Sequence, residues 1–350
     1  MKILRGFAAV LPLLFACSPS FAQHATYQLK PTPKTVTWGN YSATATPVLR
    51  IHSGDTVEIQ TLLTSSPTRL AAAGVPANQI EQSLRDIFDQ VKDRGPGGHI
   101  LTGPVYVEGA EPGDTLAVRL ESIEPKRDYA VSCFVPFFGG LTSTTLTRTL
   151  QQAIPERVYV WNLVEEGGVR YVENGEIGVR LPWEPFVGTI AVAPDLEAIS
   201  ALSPGPFGGN MDVPDVKPGN TVYLPVFNEG ALFYTGDCHA RQGQGELCGV
   251  ALEITSEVTV SFEVIKGGGI EWPRIESEDD LMCVGSARPM EDAARIAYAE
   301  LIGWLEDEHG FSRLDAYQLL TQAGGLYVGN MVDTTYSLVA SIDKQYLPRG

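Results

Sequence analysis

The clearest strand pattern in the sequence is VTVSFEV at residues 258–264. Apolar and polar side chains alternate here, which is typical of a strand with one buried face. Residues 56–61 show the same alternation directly after a Gly54-Asp55 turn. Residues 102–125 predict two more strands, joined by a turn at residues 111–114. The sequence therefore predicts a body built mainly of β-strands.

Strand signals continue through the middle of the chain. Residues 157–195 predict two or three short strands, and residues 221–226 predict a buried strand. Between them, residues 203–220 are rich in glycine and proline and predict a long loop. Residues 326–342 again predict extended structure.

Helical periodicity occurs in two places. Residues 78–94 carry apolar side chains on one helical face, with Asn78 as the expected cap and Gly95 as the expected end. An apolar stripe from residue 293 to 305 predicts a helix that stops near Gly310, and Ser312 opens a capping box for a second helix to about residue 321. Because strands and helices are segregated, the patterns favour a mainly β (α+β) fold with a β-sandwich or barrel-like core and a C-terminal helical pair.

The N-terminus has the pattern of a secretory signal peptide. Lys2 and Arg5 precede an apolar run at residues 6–16, and small residues stand at −3 and −1 before a cleavage point after Ala22. Cleavage as a lipoprotein at Cys17 is the alternative. We expect residues 1–22 to be removed and the protein to be periplasmic or secreted, with no membrane span in the mature chain. Residues 23–350 would then form one unit, with a subdivision near residue 200 and an α+β part at 270–350.

The chain is acidic, with a formal net charge of −17. Residues 1–22 contain two positive and no negative residues, so their removal gives −19. Such a charge disfavours nucleic acid and anionic lipid surfaces as partners but does not hinder a small neutral molecule.

Four cysteines follow the signal segment, Cys133, Cys238, Cys248 and Cys283. In an exported protein they could be oxidised, and their pairing cannot be chosen from sequence. A disulfide between Cys238 and Cys248 would close a short loop, while a buried passive thiol at Cys238 is the alternative.

The densest polar segment is GDCHARQGQGE at residues 236–246. Asp237 and His239 are two residues apart, so on an extended backbone their side chains would point to the same side and could hold one metal ion. Glu246 could return to this site as a ligand or a general base. A hairpin loop with a surface aspartate and a hydrogen-bonded histidine would give the same pattern.

Two other segments offer polar side chains beside glycines. In GGNMD at residues 208–212, Asn210 and Asp212 could present an amide and a carboxylate to a cation or an amide substrate, or form an ordinary Asx turn. His99 follows a glycine-rich turn and could be a ligand, a proton carrier or a structural loop histidine. The sequence has neither a Gly-x-Ser-x-Gly elbow nor a phosphate-binding glycine loop with lysine, which disfavours serine hydrolases and nucleotide binding.

Taken together, these segments resemble the acetamidase/formamidase family. The stretches that carry the resemblance occur in the expected order: SGDTVEIQT (53–61), TGPVYVEGAEPGDTLAV (102–118), GGNMDV (208–213), LPVFNEGALFYTGDCHARQGQGE (224–246) and CGVALE (248–253). The resemblance implies a mainly β fold with a sandwich-like part, homo-oligomers, hydrolysis of formamide or acetamide, and a divalent metal in some members.

Three positions depart from the family pattern. Phe207 stands where a histidine is usual, Gln244 replaces an aspartate of the acidic loop, and Cys238 replaces a glycine or methionine. These departures bear on metal binding and rate. A non-catalytic exported β-sandwich that binds a small molecule, and an amidase for a larger amide with residues 134–138 lining its pocket, are therefore the alternative interpretations.

Amide hydrolysis suggests roles for the polar residues. An amide needs a polarised carbonyl, a nucleophile and a proton for the departing nitrogen, and a divalent metal, zinc or calcium, could supply the first two. We expect metal ligation by Asp212, Asp237 and His239, and general base catalysis by Glu246. Asn210 and His99 would orient the carbonyl or its oxyanion.

Overall fold

The computed structural model describes residues 24–142, 153–164, 168–173 and 177–348. The predicted signal segment, residues 1–22, lies outside these ranges. The strands of the described residues are, in chain order, β1 (Thr26–Leu29), β2 (Val36–Trp38), β3 (Asn40–Ser42), β4 (Leu49–His52), β5 (Thr56–Gln60), β6 (Ile100–Glu108), β7 (Thr115–Pro125), β8 (Tyr129–Phe134), β9 (Arg157–Val164), β10 (Gly168–Glu173), β11 (Ile177–Pro182), β12 (Phe186–Ala191), β13 (Ala198–Ser200), β14 (Gly208–Asn210), β15 (Thr221–Pro225), β16 (Phe233–His239), β17 (Glu253–Ile254), β18 (Ser256–Ile265), β19 (Arg274–Glu276), β20 (Asp280–Ala287), β21 (Gly325–Asn330) and β22 (Tyr336–Asp343).

Helices are few in the described residues. They are α1 (Pro67–Ala72), α2 (Gln82–Gln90), α3 (Met290–His309) and α4 (Arg313–Ala323), with short 3-10 turns at Ala77–Gln79 and Lys344–Tyr346. None of these described helices is long and apolar enough to span a membrane.

The strands form two large sheets. One has the order β1-β5-β18-β7-β15-β19-β20-β22-β21, and its pairs are antiparallel except for β1 with β5. The other has the path β11-β10-β9-β8-β17-β16-β12-β14, and β6 joins it beside β16 and also pairs with β2 and β4. β3 and β13 form a separate small pair. The C-terminal strands predicted within residues 270–350 thus extend the first sheet rather than starting a new one.

The two sheets pack face to face around one hydrophobic core. Val118 and Val260 of the first sheet share this core with Val105 and Ile190 of the second. Phe233 on β16 meets Phe262 on β18 edge to face, with 5.0 Å between ring centroids, an arrangement that aromatic pairs prefer. The mainly β, sandwich-like core predicted from the alternating strands is confirmed.

The helices cover the sheets locally. Leu84 and Ile87 of α2 pack with Trp38 and Ile100 in a second cluster, while α3 and α4 bury Leu301 and Leu320 against the C-terminal strands. This confirms the C-terminal helical pair, including the αL cap at Gly310 and the Ser312 side chain that accepts from the backbone N–H of Asp315.

Three details of the predicted elements were wrong. The helix expected between Asn78 and Gly95 spans only Gln82–Gln90, because Asn78 lies in the preceding 3-10 turn and the backbone is already extended at Val91. Residues 157–195 contain four strands, β9 to β12, not two or three. The loop expected at 203–220 contains β14, which pairs with β12 and carries Asn210 into the sheet.

Candidate functional site

Three strands of the second sheet bring the polar residues to one place. β16 carries Asp237 and His239, β14 ends at Asn210, and β17 begins with Glu253. β16 pairs with β17 on one side and with β12 on the other, and β12 pairs with β14, so the three strands lie within four consecutive strands of the sheet. Their carboxylate, amide and imidazole groups are buried. The site therefore lies inside the protein, where charges interact more strongly than in water.

Three carboxylates of the site stand on left-handed backbone. Asp212, Asp237 and Glu246 have φ of 50°, 54° and 50°. The extended backbone predicted at Asp237 is therefore wrong. The Oδ2 of Asp237 nevertheless lies 3.4 Å from His239 Nε2. Such φ values cost non-glycine residues energy and persist where the surroundings hold them, often at functional sites.

Gly188 on β12 lies between two of the carboxylates. A Cβ at this position would lie 2.6 Å from Asp212 Oδ1 and 2.8 Å from Asp237 Oδ2. Real Cβ atoms do not approach oxygen so closely, so any side chain here would push the two carboxylates away. The approach of Asp212 to Asp237 thus depends on this glycine.

Two amides and two carboxylates form a closed ring of hydrogen bonds. Asn210 Nδ2 donates to Asp212 Oδ2 at 2.7 Å and to Asp333 Oδ2 at 2.6 Å. Asn330 Nδ2 donates to the same two oxygens, each at 2.6 Å. The hydroxyl of Thr189 donates to Asn210 Oδ1 at 2.5 Å. The Oδ1 and Nδ2 atoms of Asn210, which was expected to orient the substrate carbonyl, therefore already have protein partners.

His239 lies among carboxylates but makes no well-formed hydrogen bond. Its Nε2 lies 3.3 Å from Glu253 Oε1 as well as close to Asp237, and its ring packs edge to face against Phe186. Among the described residues, neither ring nitrogen has a hydrogen-bond partner, and the same holds for Asp212 Oδ1 and Glu253 Oε2. Buried polar atoms are normally paired, so these are the atoms of the site that a bound ligand could contact.

The possible ligand atoms divide into two overlapping groups. Asp212, His239 and Glu246 form one, and Asp237, His239 and Glu253 form the other, with the ligand atoms of each group within 4.8 Å of one another. The expected set of Asp212, Asp237 and His239 is thus divided between the two groups. Glu246, expected as the base, belongs with Asp212, and His239 is common to both groups.

The burial and close spacing of the site carboxyls raise the pKa values of four of them. Burial, together with the nearby charge of Asp237, raises the pKa of Asp212 well above its usual value, and burial with the charge of Asp212 does the same for Glu246. Burial also raises the pKa of Glu253 to about 8 and that of Asp333 to about 6. A carboxyl with a raised pKa can carry a proton near neutral pH, as a general acid or base requires.

The pKa values of two other side chains, Asp237 and His239, shift in the direction that favours the charged form. Burial raises the pKa of Asp237, but the imidazoles of His99 and His239 outweigh it and hold that pKa below its usual value. Burial lowers the pKa of His239, but the carboxylates of Glu253 and Asp237 outweigh it and raise that pKa well above its usual value. The site thus attracts positive charge.

His99 lies at the edge of the same cluster. Its Nδ1 donates to the backbone carbonyl of Ala201 at 3.2 Å, and its Nε2 lies 3.6 Å from Asp237 Oδ1. His99 lines a cavity together with Asn210, Glu246 and Asp333. Its side chain is therefore held from one side and presented to the cavity from the other.

Three site residues were not singled out in the sequence. Glu253 follows the apolar Val250-Ala251-Leu252 stretch, where a buried carboxylate is unusual. Asn330 is the last residue of β21, and Asp333 lies in the connection between β21 and β22. A signal for them existed, since Gly-Asn-Met occurs at residues 209–211 and again at 329–331, with an aspartate shortly after each.

The departures from the family pattern lie outside the carboxylate cluster. Phe207 is buried in the main core, with its ring centroid 5.2 Å from that of Tyr41. Gln244 is exposed and lines a neighbouring cavity. Cys238 is a buried free thiol whose pKa burial raises to about 11, and Cys248 is also free, so the disulfide considered between them is absent.

The family model and the solved structures that match this chain all point to the same family. The model of the Acetamidase/Formamidase family matches residues 77–203 and 196–335. The crystal structure of acetamidase from Yersinia enterocolitica has a TM-score of 0.80 and 37% identity, covering 94% of this chain and 95% of its own. The crystal structure of acetamidase from Bacillus halodurans has a TM-score of 0.73 and 29% identity. The match covers 91% of this chain and 98% of that acetamidase.

Curated sequences agree over a shorter range. Acetamidase from Mycolicibacterium smegmatis is 28% identical over 225 residues, which is 49% of this chain and 54% of that protein. The chain thus spans about half the length of the curated relatives that it matches. The family model covers well over half of this chain, and the solved acetamidases share its fold along nearly its whole length. This chain belongs to the Acetamidase/Formamidase family.

Proposed function

We propose that this protein hydrolyses carboxylic amides to a carboxylate and ammonia at the carboxylate–imidazole site. The observation that carries the proposal is the set of buried polar atoms without a hydrogen-bond partner in the described residues, Asp212 Oδ1, both His239 ring nitrogens and Glu253 Oε2. Of these residues, Glu253 lines a cavity together with Asp237 and Glu246. The family, whose solved members include proteins named acetamidase, supports amides as the substrate class.

The donor set suits a divalent cation. With Glu246 as the base, Asp237, His239 and Glu253 would hold it, and the imidazole favours zinc over calcium, which prefers oxygen ligands. A bound cation would polarise the amide carbonyl and lower the pKa of a water molecule. The excess of buried carboxylates in the site is consistent with a cation as part of the working protein.

The residues of the chain account for the proton transfers. Glu246, with its raised pKa, takes the proton of the attacking water, whose oxygen bonds to the carbonyl carbon. When the carbon–nitrogen bond breaks, Glu246 gives that proton to the departing nitrogen. The backbone N–H of Ala251 donates to Glu246 Oε1 at 2.9 Å and holds the carboxyl in place. His99 orients the substrate carbonyl oxygen from the cavity side.

The test is ammonia release from formamide, acetamide and propionamide by protein of residues 23–350. We expect release that EDTA removes and that added zinc or calcium restores. Glu246→Gln should lower kcat about 100- to 10,000-fold, the usual contribution of general acid–base catalysis. Full activity of Glu246→Gln would contradict the assigned base. No release from any amide with any cation would overturn the proposed function in favour of a binding protein.

We also propose that the protein is exported and that it forms homo-oligomers. Export rests on the signal-peptide pattern of residues 1–22. N-terminal sequencing of protein recovered outside the cytoplasm should begin at Gln23, whereas an intact N-terminus in the cytoplasm would contradict export. Light scattering coupled to gel filtration should give a mass above the 37.8 kDa of one chain.

A further inference from the structure

The cavity above the carboxylate cluster is large for a short amide. Its volume is about 520 Å³, within the range of roughly 300–1,000 Å³ that holds drug-sized ligands. Acetamide has only four non-hydrogen atoms and would leave most of this space to water. The size of the cavity therefore indicates a ligand that extends well beyond the amide group.

The cavity is polar at one end and apolar at the other. Asn210, Asp237 and Glu246 line the polar end. The segment after β8 contributes Val135, Phe137 and Phe138. Phe137 is 43% exposed, so its ring has apolar surface left to cover. Burying apolar surface against these side chains would stabilise a bound ligand.

The charges around the cavity argue against an anionic ligand. Arg69 forms an ion pair with Glu156. Arg288 donates to the backbone carbonyl of Asp333 and lies over the ring of Tyr336, 4.3 Å from its centroid. Both guanidinium groups are thus engaged by the protein, and the carboxylates at the polar end would repel an anionic ligand.

A second apolar cavity, of about 480 Å³, lies next to the first. It shares Phe138, Glu246 and Val250 with it. Of the two groups that could hold a cation, it touches only Glu246, so the reacting amide belongs in the first cavity.

We propose that the preferred substrates are neutral primary amides whose acyl group is apolar, flat and larger than acetyl, as in an arylacetamide. The inference rests on the proposed amide hydrolysis. The amide group lies at the polar end, and the aryl group lies against Phe137, Phe138 and Val135, where aromatic pairing adds to apolar burial.

The first test compares kcat/KM for phenylacetamide and acetamide with cation-loaded protein. We expect phenylacetamide to be favoured by at least about 10-fold, because filling an apolar pocket discriminates by roughly 10- to 200-fold. Equal or better use of acetamide would overturn the inference and leave amide hydrolysis standing. Release of ammonia from neither amide would instead overturn the proposed function.

A binding measurement tests the preference for the larger amide independently of catalytic turnover. Calorimetric titration of the Glu246→Gln protein with each amide should show tighter binding of phenylacetamide. Equal binding, or binding of neither amide, would overturn the inference whatever the activity assay gives.

Variants then locate the aryl group. Val135→Trp narrows the apolar end from a partly exposed position and should lower the ratio of kcat/KM for phenylacetamide over acetamide by about 10-fold or more. Leu314→Trp, on the outer face of α4 where Leu314 is 76% exposed, is the matched control and should leave the ratio as in the parent protein. An unchanged ratio in Val135→Trp would contradict the placement.

Discussion

Gly188 shows how one missing side chain shapes the site. Its position leaves Asp212 Oδ1 and Asp237 Oδ2 2.6 and 2.8 Å from the point where a Cβ would be. The two oxygens belong to different possible cation groups that share His239. The space at Gly188 therefore sets the distance between the two groups.

We predict that Gly188→Ala lowers kcat/KM for amide hydrolysis by about 100-fold, as displacement of reacting groups by an ångström typically does. Cation content, measured on purified protein by elemental analysis, should fall together with activity. Gly303→Ala is the matched control, because a Cβ at Gly303 in α3 meets no atom within 4 Å. Activity of Gly188→Ala equal to that of Gly303→Ala would contradict the prediction.

Asn330 is the second residue on which the site geometry depends. It donates to both Asp212 and Asp333, and its Oδ1 accepts the backbone N–H groups of Val332 and Asp333 at 2.8 and 3.1 Å. Asn330 thus connects the β21–β22 connection of the first sheet to Asp212, which follows β14 of the second sheet.

Asn330→Ala is expected to lower the free energy of unfolding by about 1.5–3 kcal/mol, because it removes hydrogen bonds to charged groups. It should also weaken cation binding, measured by titration calorimetry. Asn228→Ala loses only hydrogen bonds to the backbone carbonyls of Ala193 and Pro194, so it should cost stability without changing cation affinity. Equal cation affinity in the two variants would show that Asn330 is merely structural.

Part of this site is predictable from the sequence. Asp212, Asp237, His239, Glu246, Asn210 and His99 do meet around one buried cluster. Their division into groups could not be foreseen, because it depends on left-handed φ at Asp237 and on the pairing of β16 with β17, which brings in Glu253. Asn330 and Asp333 required knowledge of which sheet edge meets the cluster.

At the level of elements, the same turn appears before two strands of the first sheet. Gly-Asp-Thr occurs at residues 54–56, leading into β5, and at 113–115, leading into β7. In the first turn the aspartate accepts the backbone N–H of His52, and in the second that of Glu111, each at 2.8 Å. Each aspartate thereby closes its turn.

Asp114 adds an ion pair to this arrangement. Lys266 donates to its Oδ2 at 2.7 Å, and the backbone N–H of Gly267 donates to its Oδ1 at 3.0 Å. Burial raises the pKa of Asp114, but Lys266 and the two backbone N–H groups outweigh burial and hold that pKa below its usual value. Since folding lowers the pKa, the charged carboxylate stabilises the protein above the unfolded value of about 3.9 and loses this effect as the pH falls.

Asp114→Asn should therefore lower the free energy of unfolding at pH 7 by about 1–3 kcal/mol. In urea titrations this deficit should stay constant from pH 7 to pH 5 and shrink as the pH falls below about 4. Asp292→Asn, whose aspartate pairs with Arg295 on the exposed face of α3, should change stability by less than about 1 kcal/mol. A deficit that grows on acidification would contradict the assigned ion pair.

Elements with a strong period were predicted well, and those defined by tertiary contacts were not. β5, β18, α3 and α4 follow alternation, helical stripes and caps that are visible in the residues themselves. β14 has three residues, two of them glycines, and forms only because β12 lies beside it. The late start of α2 at Gln82 likewise follows from the 3-10 turn before it, not from periodicity.

For the whole molecule, the balance of buried charge is the dominant feature of the site. Asp212, Asp237, Glu246, Glu253 and Asp333 are buried around two imidazoles, His99 and His239. Buried charges are costly unless they are paired or coordinate a metal. A divalent cation would offset this excess, and it would bind the folded protein far better than the unfolded chain, in which the ligands are dispersed.

Divalent cation should therefore raise the thermal stability of the whole protein. At a free concentration 100 times its Kd, zinc should add about 2.7 kcal/mol to the free energy of unfolding and raise Tm by a few degrees. Calorimetry of EDTA-treated protein, before and after zinc or calcium is added, measures the increment. Sodium chloride at matched ionic strength controls for screening.

Variants connect this increment to the site. Asp237→Asn retains a residue that tolerates left-handed φ but removes one ligand charge, so the increment should shrink. The cation-free protein should also lose stability, because His99 and His239 stabilise the Asp237 carboxylate. Asp292→Asn should keep the full increment. If EDTA and added cation leave Tm unchanged, or if Asp237→Asn keeps the whole increment, the cation binds elsewhere or not at all, and the charged site must be balanced by protonation of its carboxyls.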